Sequence, residues 1–141
     1  MKKLSTLSLI GLFGALSLVS CSGGGDGTRT IDVETLDSMG YDPAEIQVEA
    51  GETVRFVVSN PGTATHEFVL GDESVQMEHE EQAGMGMDHD SMTDSDLPAL
   101  TLAPGDSQTV EVTFDEPGTI LYGCHEVGHY DQGMVGTITV E

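Results

Sequence analysis

The last stretch of the chain, "LYGCHEVGHYDQGMVGTITVE" (residues 121–141), holds a cysteine, two histidines and a methionine within eleven residues, Cys124 to Met134. Cys124, His129 and Met134 are spaced C-x4-H-x4-M, so one loop has the length to fold three side chains around a point. Thiolate, imidazole and thioether are soft or borderline donors that suit copper far better than calcium or magnesium. A second imidazole is available in His66, which opens "HEFVL" after the "NPGTAT" turn. Two histidines and a cysteine in a plane, with a weak axial methionine, form the donor set of a blue-copper electron-transfer site. Such a set suits neither Cu(I) nor Cu(II) fully, so little has to move when an electron arrives. The plain alternative makes Cys124 and Met134 core filler and the histidines surface accidents. Clustering beside a lone thiol argues against it. His125 neighbours Cys124, and alternation along a strand turns it away from a metal held there, toward solvent or into a supporting contact.

Strands must present these donors. From residue 29 onward, short alternating runs broken by turn signals read as all-β. "TIDVETLD" is one run; "AEIQVEAGETVRFVVSNPG" holds two, joined at Ala50-Gly51-Glu52; "THEFVLG" is another. "LPALTLAPGDSQTVEVTFDEPGTILYGC" holds three, punctuated by Pro104-Gly105 and Pro117-Gly118, and "MVGTITVE" closes the chain. Seven or eight short strands at this spacing predict a sandwich of two sheets. One segment breaks the rhythm. Residues 71–96, "GDESVQMEHEEQAGMGMDHDSMTDSD", are acidic, lack a hydrophobic face and read as a long mobile loop. No convincing helical period is visible there.

The strand pattern and the donors together resemble the cupredoxin, or type 1 copper, family over roughly residues 40–141: a β-sandwich with one early histidine and a late Cys-His-Met loop. The C-x4-H-x4-M spacing is similar to that of auracyanins and rusticyanin; plastocyanins have a shorter Cys-to-His interval and azurins a shorter His-to-Met one. The resemblance implies a Greek-key sandwich, with His66, Cys124, His129 and Met134 as ligands of one copper ion. It also implies that His129 lies near the surface and carries the electron out. Glu67 stands where small electron carriers commonly have asparagine. The strings "THEFVLGD" and "GCHEVGHYDQGMVGTITV" are similar to a subgroup of bacterial cupredoxin-like proteins with a Met/His-rich insert, whose members often accompany copper-handling genes. Nothing suggests an enzyme: there is no open substrate position, too few histidines for a multicopper cluster, and, with Cys21 set aside as part of the leader signal, one cysteine where a dinuclear site needs two.

The start of the chain is read separately. "MKK" followed by "LSTLSLIGLFGALSLVS" has the form of a secretory signal over residues 1–20, and "LVSC" resembles a bacterial lipobox that would make Cys21 a lipidated N-terminus. Residues 21–28 read as a Gly-rich tether, and residues 29–141 as the domain. An exported lipoprotein on the periplasmic or extracellular face is expected, anchored in the membrane by lipid. Loss of the leader would leave Arg29 and Arg55 against 25 acids, a net charge of −23. That surface repels phosphate backbones, so nucleic acid is excluded as a partner. It favours cations and a basic redox partner, and a monomer is expected.

Two functions stay open. A type 1 site serves as a one-electron carrier. The insert offers an alternative, because Met77, His79, Met85, Met87, His89 and Met92 are donors for a secondary metal. Thioethers bind Cu(I) and Ag(I) without deprotonation, so these residues suit capture, buffering or delivery of copper. A metal-free interaction domain ranks last.

Overall fold

The alternating runs become strands because one face of each carries valine, isoleucine, phenylalanine and tyrosine that must leave water, while the other stays polar. A computed structural model describes residues 27–85 and 98–141. Its elements are β1 (Thr28–Leu36), β2 (Gly40–Asp42), β3 (Glu45–Val48), β4 (Glu52–Ser59), β5 (His66–Gly71), α1 (Glu73–Gly84), β6 (Ala99–Leu102), β7 (Ser107–Phe114), β8 (Gly118–Gly123) and β9 (Val135–Val140). All the strands but the three-residue β2 fall on the expected runs. One sheet has the order β2-β1-β4-β7 and the other β3-β9-β8-β5-β6, so the two-layer sandwich is as the sequence predicts. β1 runs parallel to β4, with Val33 opposite Val58, and β3 runs parallel to β9. The remaining pairs are antiparallel.

The inner faces meet in a core of Val33, Val54, Phe56, Phe68, Leu70, Tyr122 and Ile138, all fully buried. Each such side chain contributes roughly 1.5–3 kcal/mol. Phe56, Phe68, Tyr41 and Tyr122 pack on one another at ring separations of 5.0–6.0 Å. Both tyrosine hydroxyls are satisfied: Tyr41 donates to the Glu67 carbonyl at 2.6 Å and Tyr122 to the Pro43 carbonyl at 2.7 Å. β9 passes Tyr122 so closely that only glycine fits at 136, where a Cβ would lie 2.1 Å from the ring.

β5 is buried at all six positions, unlike a strand with one wet face. Its pleat puts His66, Phe68 and Leu70 on the inner side and Glu67, Val69 and Gly71 on the outer. The outer side is roofed by α1. Here the expectation of a mobile loop over 71–96 is corrected, because Glu73–Gly84 is a helix. Asp72 caps it, its carboxylate accepting from the backbone N–H of Ser74 at 2.9 Å and of Val75 at 3.1 Å. The buried positions are Gln76, His79 and Ala83, at i, i+3 and i+7. The inner stripe is therefore polar, which explains why hydrophobic periodicity does not reveal it. Gln76 donates to the Val69 carbonyl at 2.9 Å, fastening the helix to β5. The leader, Cys21 and residues 86–97 with Met87, His89 and Met92 lie outside the described residues. Among the described residues no helix is long and apolar enough to cross a membrane.

Candidate metal centre

Three donors converge at one end of the sandwich. His66 begins β5 on its inner face; Cys124 follows β8 in phase with the inward-facing Tyr122. His129 lies in the loop between β8 and β9. The Cys124 Sγ stands 3.3 Å from the His129 Nδ1 and 4.0 Å from the His66 Nδ1. One ligand atom from each of the three residues falls within 4.8 Å of the others. A nitrogen and a sulfur sharing a first-row ion, with bonds of about 2.0 Å and 2.3 Å, sit roughly 3.5–3.7 Å apart at tetrahedral to trigonal angles. The observed separations bracket that value. His66 and Cys124 are fully buried, and His129 is half-buried. Met134 is also fully buried, and its backbone ties the loop together. The Cys124 N–H donates to the Met134 carbonyl at 3.2 Å, and the Met134 N–H to the His129 carbonyl at 3.1 Å. Gly133 makes the turn before it at φ 94, a left-handed conformation that glycine adopts without strain.

Burial pushes the Cys124 thiol up to about 11, opposed by the backbone N–H groups of Glu67 and Glu126. The Glu67 N–H lies 3.2 Å from Sγ. This contact is made by backbone, so a glutamate at 67 preserves the hydrogen bond to sulfur that its side chain might seem to forfeit. The carboxylate of Glu67 instead accepts from the His125 N–H at 3.1 Å. On the other side, the Nε2 of His66 lies 3.2 Å from the Asp37 Oδ1. One ring nitrogen of His66 thus meets a carboxylate, and the other, Nδ1, faces the sulfur. A soft thiolate with two imidazoles is the chemistry of a copper site, and these residues fit that ion.

The sequence model of copper binding proteins of the plastocyanin/azurin family matches residues 28–141. The chain belongs to this family. The copper-resistant cuproprotein CopI of Pseudomonas aeruginosa is 35% identical over 140 residues, spanning 81% of this chain and 77% of that protein. The CopI of Rubrivivax gelatinosus is 38% identical over 112 residues, spanning 79% of this chain and 66% of its own length. Reduced auracyanin from Roseiflexus castenholzii superposes with a TM-score of 0.70 at 28% identity, covering 80% of this chain and 97% of that one. Auracyanin A from Chloroflexus aurantiacus gives 0.67 at 25% identity, covering 82% and 100%.

In this cupredoxin the sequence-predicted His66, Cys124 and His129 come together, and Met134 lies at the end of the same loop. The predicted insert donors are divided. Met77 and Met85 project into solvent, 66% and 60% exposed. His79 is instead buried on the inner side of α1, its ring 5.5 Å from that of His125. His125 faces away from the donor cluster, as the pleat requires, but it is not solvent-facing: it is 1% exposed. Its Nδ1 lies 2.9 Å from the Glu80 carboxylate and its Nε2 2.8 Å from the Gln76 Oε1. The Gln76 amide nitrogen is spent on Val69, so the ring is held between two oxygens, one from Glu80 and one from Gln76. Tyr130 stacks on its other side at 4.8 Å. Residue reading alone misses Gln76 and Glu80 as supports of the metal loop; their i, i+4 spacing behind the Asp72 cap was the available signal.

Proposed function

We propose that this cupredoxin binds one type 1 copper ion and works by one-electron transfer at it, in copper tolerance outside the cytoplasm, tethered to a membrane through Cys21. The observation carrying this reading is the convergence of the His66 Nδ1 and His129 Nδ1 on the Cys124 Sγ. In it, His66, Cys124, His129 and Met134 would hold the ion, the thiolate and two imidazoles supplying the stronger donors and the thioether a weak one. Bound copper supplies the one-electron couple. The chain's own residues hold the donors in place, exclude water from His66 and Cys124, and counter the thiolate charge with the N–H groups of Glu67 and Glu126. Half-buried His129 is the electron's exit, and Val127 beside it, 83% exposed, gives a partner an apolar foothold. The acidic surface favours a basic redox partner and disfavours nucleic acid. No catalytic residue is assigned, and the working unit is a monomer.

Copper tolerance enters because the CopI relatives carry that role in their names, and because a second reading has support of its own. Exposed Met77 on α1 and Met85 at its C-terminal cap are accessible thioethers, suited with Met87, His89 and Met92 to capture Cu(I) or Ag(I). Capture would draw on these rather than on His79, which is enclosed.

The test is a Cu(II) titration of the copper-free protein, followed by visible absorption, beside Cys124→Ser. An intense thiolate-to-copper band at one equivalent, absent in the variant, is expected. Absence of the band in the unsubstituted protein sinks the type 1 reading. Retained Ag(I) binding that falls in a Met77→Leu/Met85→Leu double variant would then leave capture as the function.

A further inference from the structure

His66 is buried against a carboxylate that comes from a different part of the chain. Asp37 lies in the turn after β1, and the segment Gly62-Thr63-Ala64 wraps around its side chain. The Thr63 N–H donates to the two carboxylate oxygens at 2.9 and 3.2 Å, the Thr63 hydroxyl donates at 2.8 Å, and the Ala64 N–H at 3.3 Å. The fourth group is the His66 ring, Nε2 to Oδ1 at 3.2 Å. Gly62 makes room: a Cβ there would stand 2.2 Å from Oδ1. These donors, the Thr63 N–H foremost, hold the carboxyl well below the usual carboxylate range.

We propose that Asp37 is a positioning residue for the metal centre: its carboxylate fixes His66 as the Nε2–H tautomer with Nδ1 toward Cys124, and the fixed negative charge behind the ring favours Cu(II) over Cu(I). The inference rests on the reading of His66 as a copper ligand. A histidine whose distal N–H meets a carboxylate is a more basic ligand, oriented before the metal arrives. The extra electron density favours the more highly charged ion, so the charge lowers the reduction potential. Asp37 is itself 41% exposed, so water and salt weaken its charge, but unlike other surface acids it is in hydrogen-bond contact with the ring.

The experiment compares Asp37→Asn, Asp37→Ala and the surface control Asp115→Asn by Cu(II) affinity, reduction potential and ¹⁵N shifts of the His66 ring in the copper-free protein. Asp37→Asn keeps an oxygen acceptor but removes the charge; Asp37→Ala removes both. In Asp37→Ala, Cu(II) affinity is expected to fall roughly 10- to 100-fold. If Cu(I) affinity is unchanged, each tenfold raises the potential by about 59 mV. Asp37→Asn falls between, the control does not move, and the His66 ring of Asp37→Ala loses its single tautomer. An unmoved potential in both Asp37 variants, with the thiolate band intact, overturns the proposal. So does a shift in Asp37→Ala with none in Asp37→Asn, which would leave the charge no role. Loss of the thiolate band already in the unsubstituted protein would instead be failure of the type 1 reading.

Discussion

Replacing His125 by phenylalanine tests whether α1 and the metal loop are one mechanical unit. The ring stack on Tyr130 survives in outline, but both ring hydrogen bonds to the helix are lost. The Gln76 Oε1, in a side chain with no exposed surface, is stranded without its donor. A buried polar atom deprived of its partner costs about 1–3 kcal/mol. The Glu80 side chain is 30% exposed and recovers water, so its lost pairing adds about 1 kcal/mol at most. The sum is roughly 1–4 kcal/mol, a sizeable part of the 5–15 kcal/mol typical of a domain. A twelve-residue helix without an apolar face has little stability alone, so the loss falls first on α1.

The assay is urea unfolding of the copper-free protein, paired with hydrogen exchange. With a urea slope of about 1–2 kcal/mol/M, the midpoint should drop by roughly 0.5–4 M. Amides of α1 should lose protection before those of β4 and β9. A Gln76→Ala partner variant should show non-additive loss in a double-mutant cycle, since the two side chains share one hydrogen bond. A destabilisation under about 0.5 kcal/mol, the range of an indifferent surface change, would refute the coupling of helix to loop. So would a uniform loss of protection that spares α1.

The copper-free protein should weaken in alkali. Burial raises the Cys124 thiol from 9.0 to about 11, so between those values the unfolded chain releases a proton that the folded one keeps. Stability is full below pH 9 and falls as pH rises toward 11, by about 2–3 kcal/mol in all, with Tyr41 and Tyr122 extending the loss because burial raises them too. Urea midpoints that stay flat from pH 8 to 11, or a slope that Cys124→Ala leaves unchanged, would contradict this. Gly136→Ala should destabilise by about 1–3 kcal/mol or more, because the new Cβ meets the Tyr122 ring and Tyr122 is held by its bond to Pro43. Thermal unfolding checks it, and a Gly118→Ala control, whose Cβ meets nothing within 4 Å, should be nearly neutral by comparison.

The donors were legible because the chemistry is local. Cys124, His129 and Met134 share one loop, and residue type alone narrows the metal. Eight strands were legible because their inner faces are apolar at period two; β2 was not, since Gly40–Asp42 is too short to show a period. Helix α1 escaped for a different reason. Its inner stripe is Gln76, His79 and Ala83, and a polar stripe becomes an inner face only when His125 and the Val69 carbonyl are brought to it. That information is tertiary. The direction in which His125 points followed from the pleat, whereas its burial depended on a roof that hydropathy does not reveal. Asp37 was equally hidden: it lies 29 residues from His66, and nothing in "TLDSMG" marks the aspartate apart from other acids.

The two hidden supports do different work, and this separates their consequences. Asp37 meets His66 at the ring nitrogen opposite the one facing the thiol, so its charge acts along the ligand itself. The α1 network meets the chain at His125, one residue past Cys124, and acts through the backbone that Glu67 also holds. A loss at Asp37 should therefore change the preference between oxidation states and loosen the Gly62-Thr63-Ala64 turn that it holds, while leaving α1 firm. A loss at His125 should soften the fold and the loop while leaving the His66 ring in its tautomer. Were both variants to move potential and stability in the same proportion, the centre would be held by general packing alone, and neither residue would have the separate role that its geometry indicates.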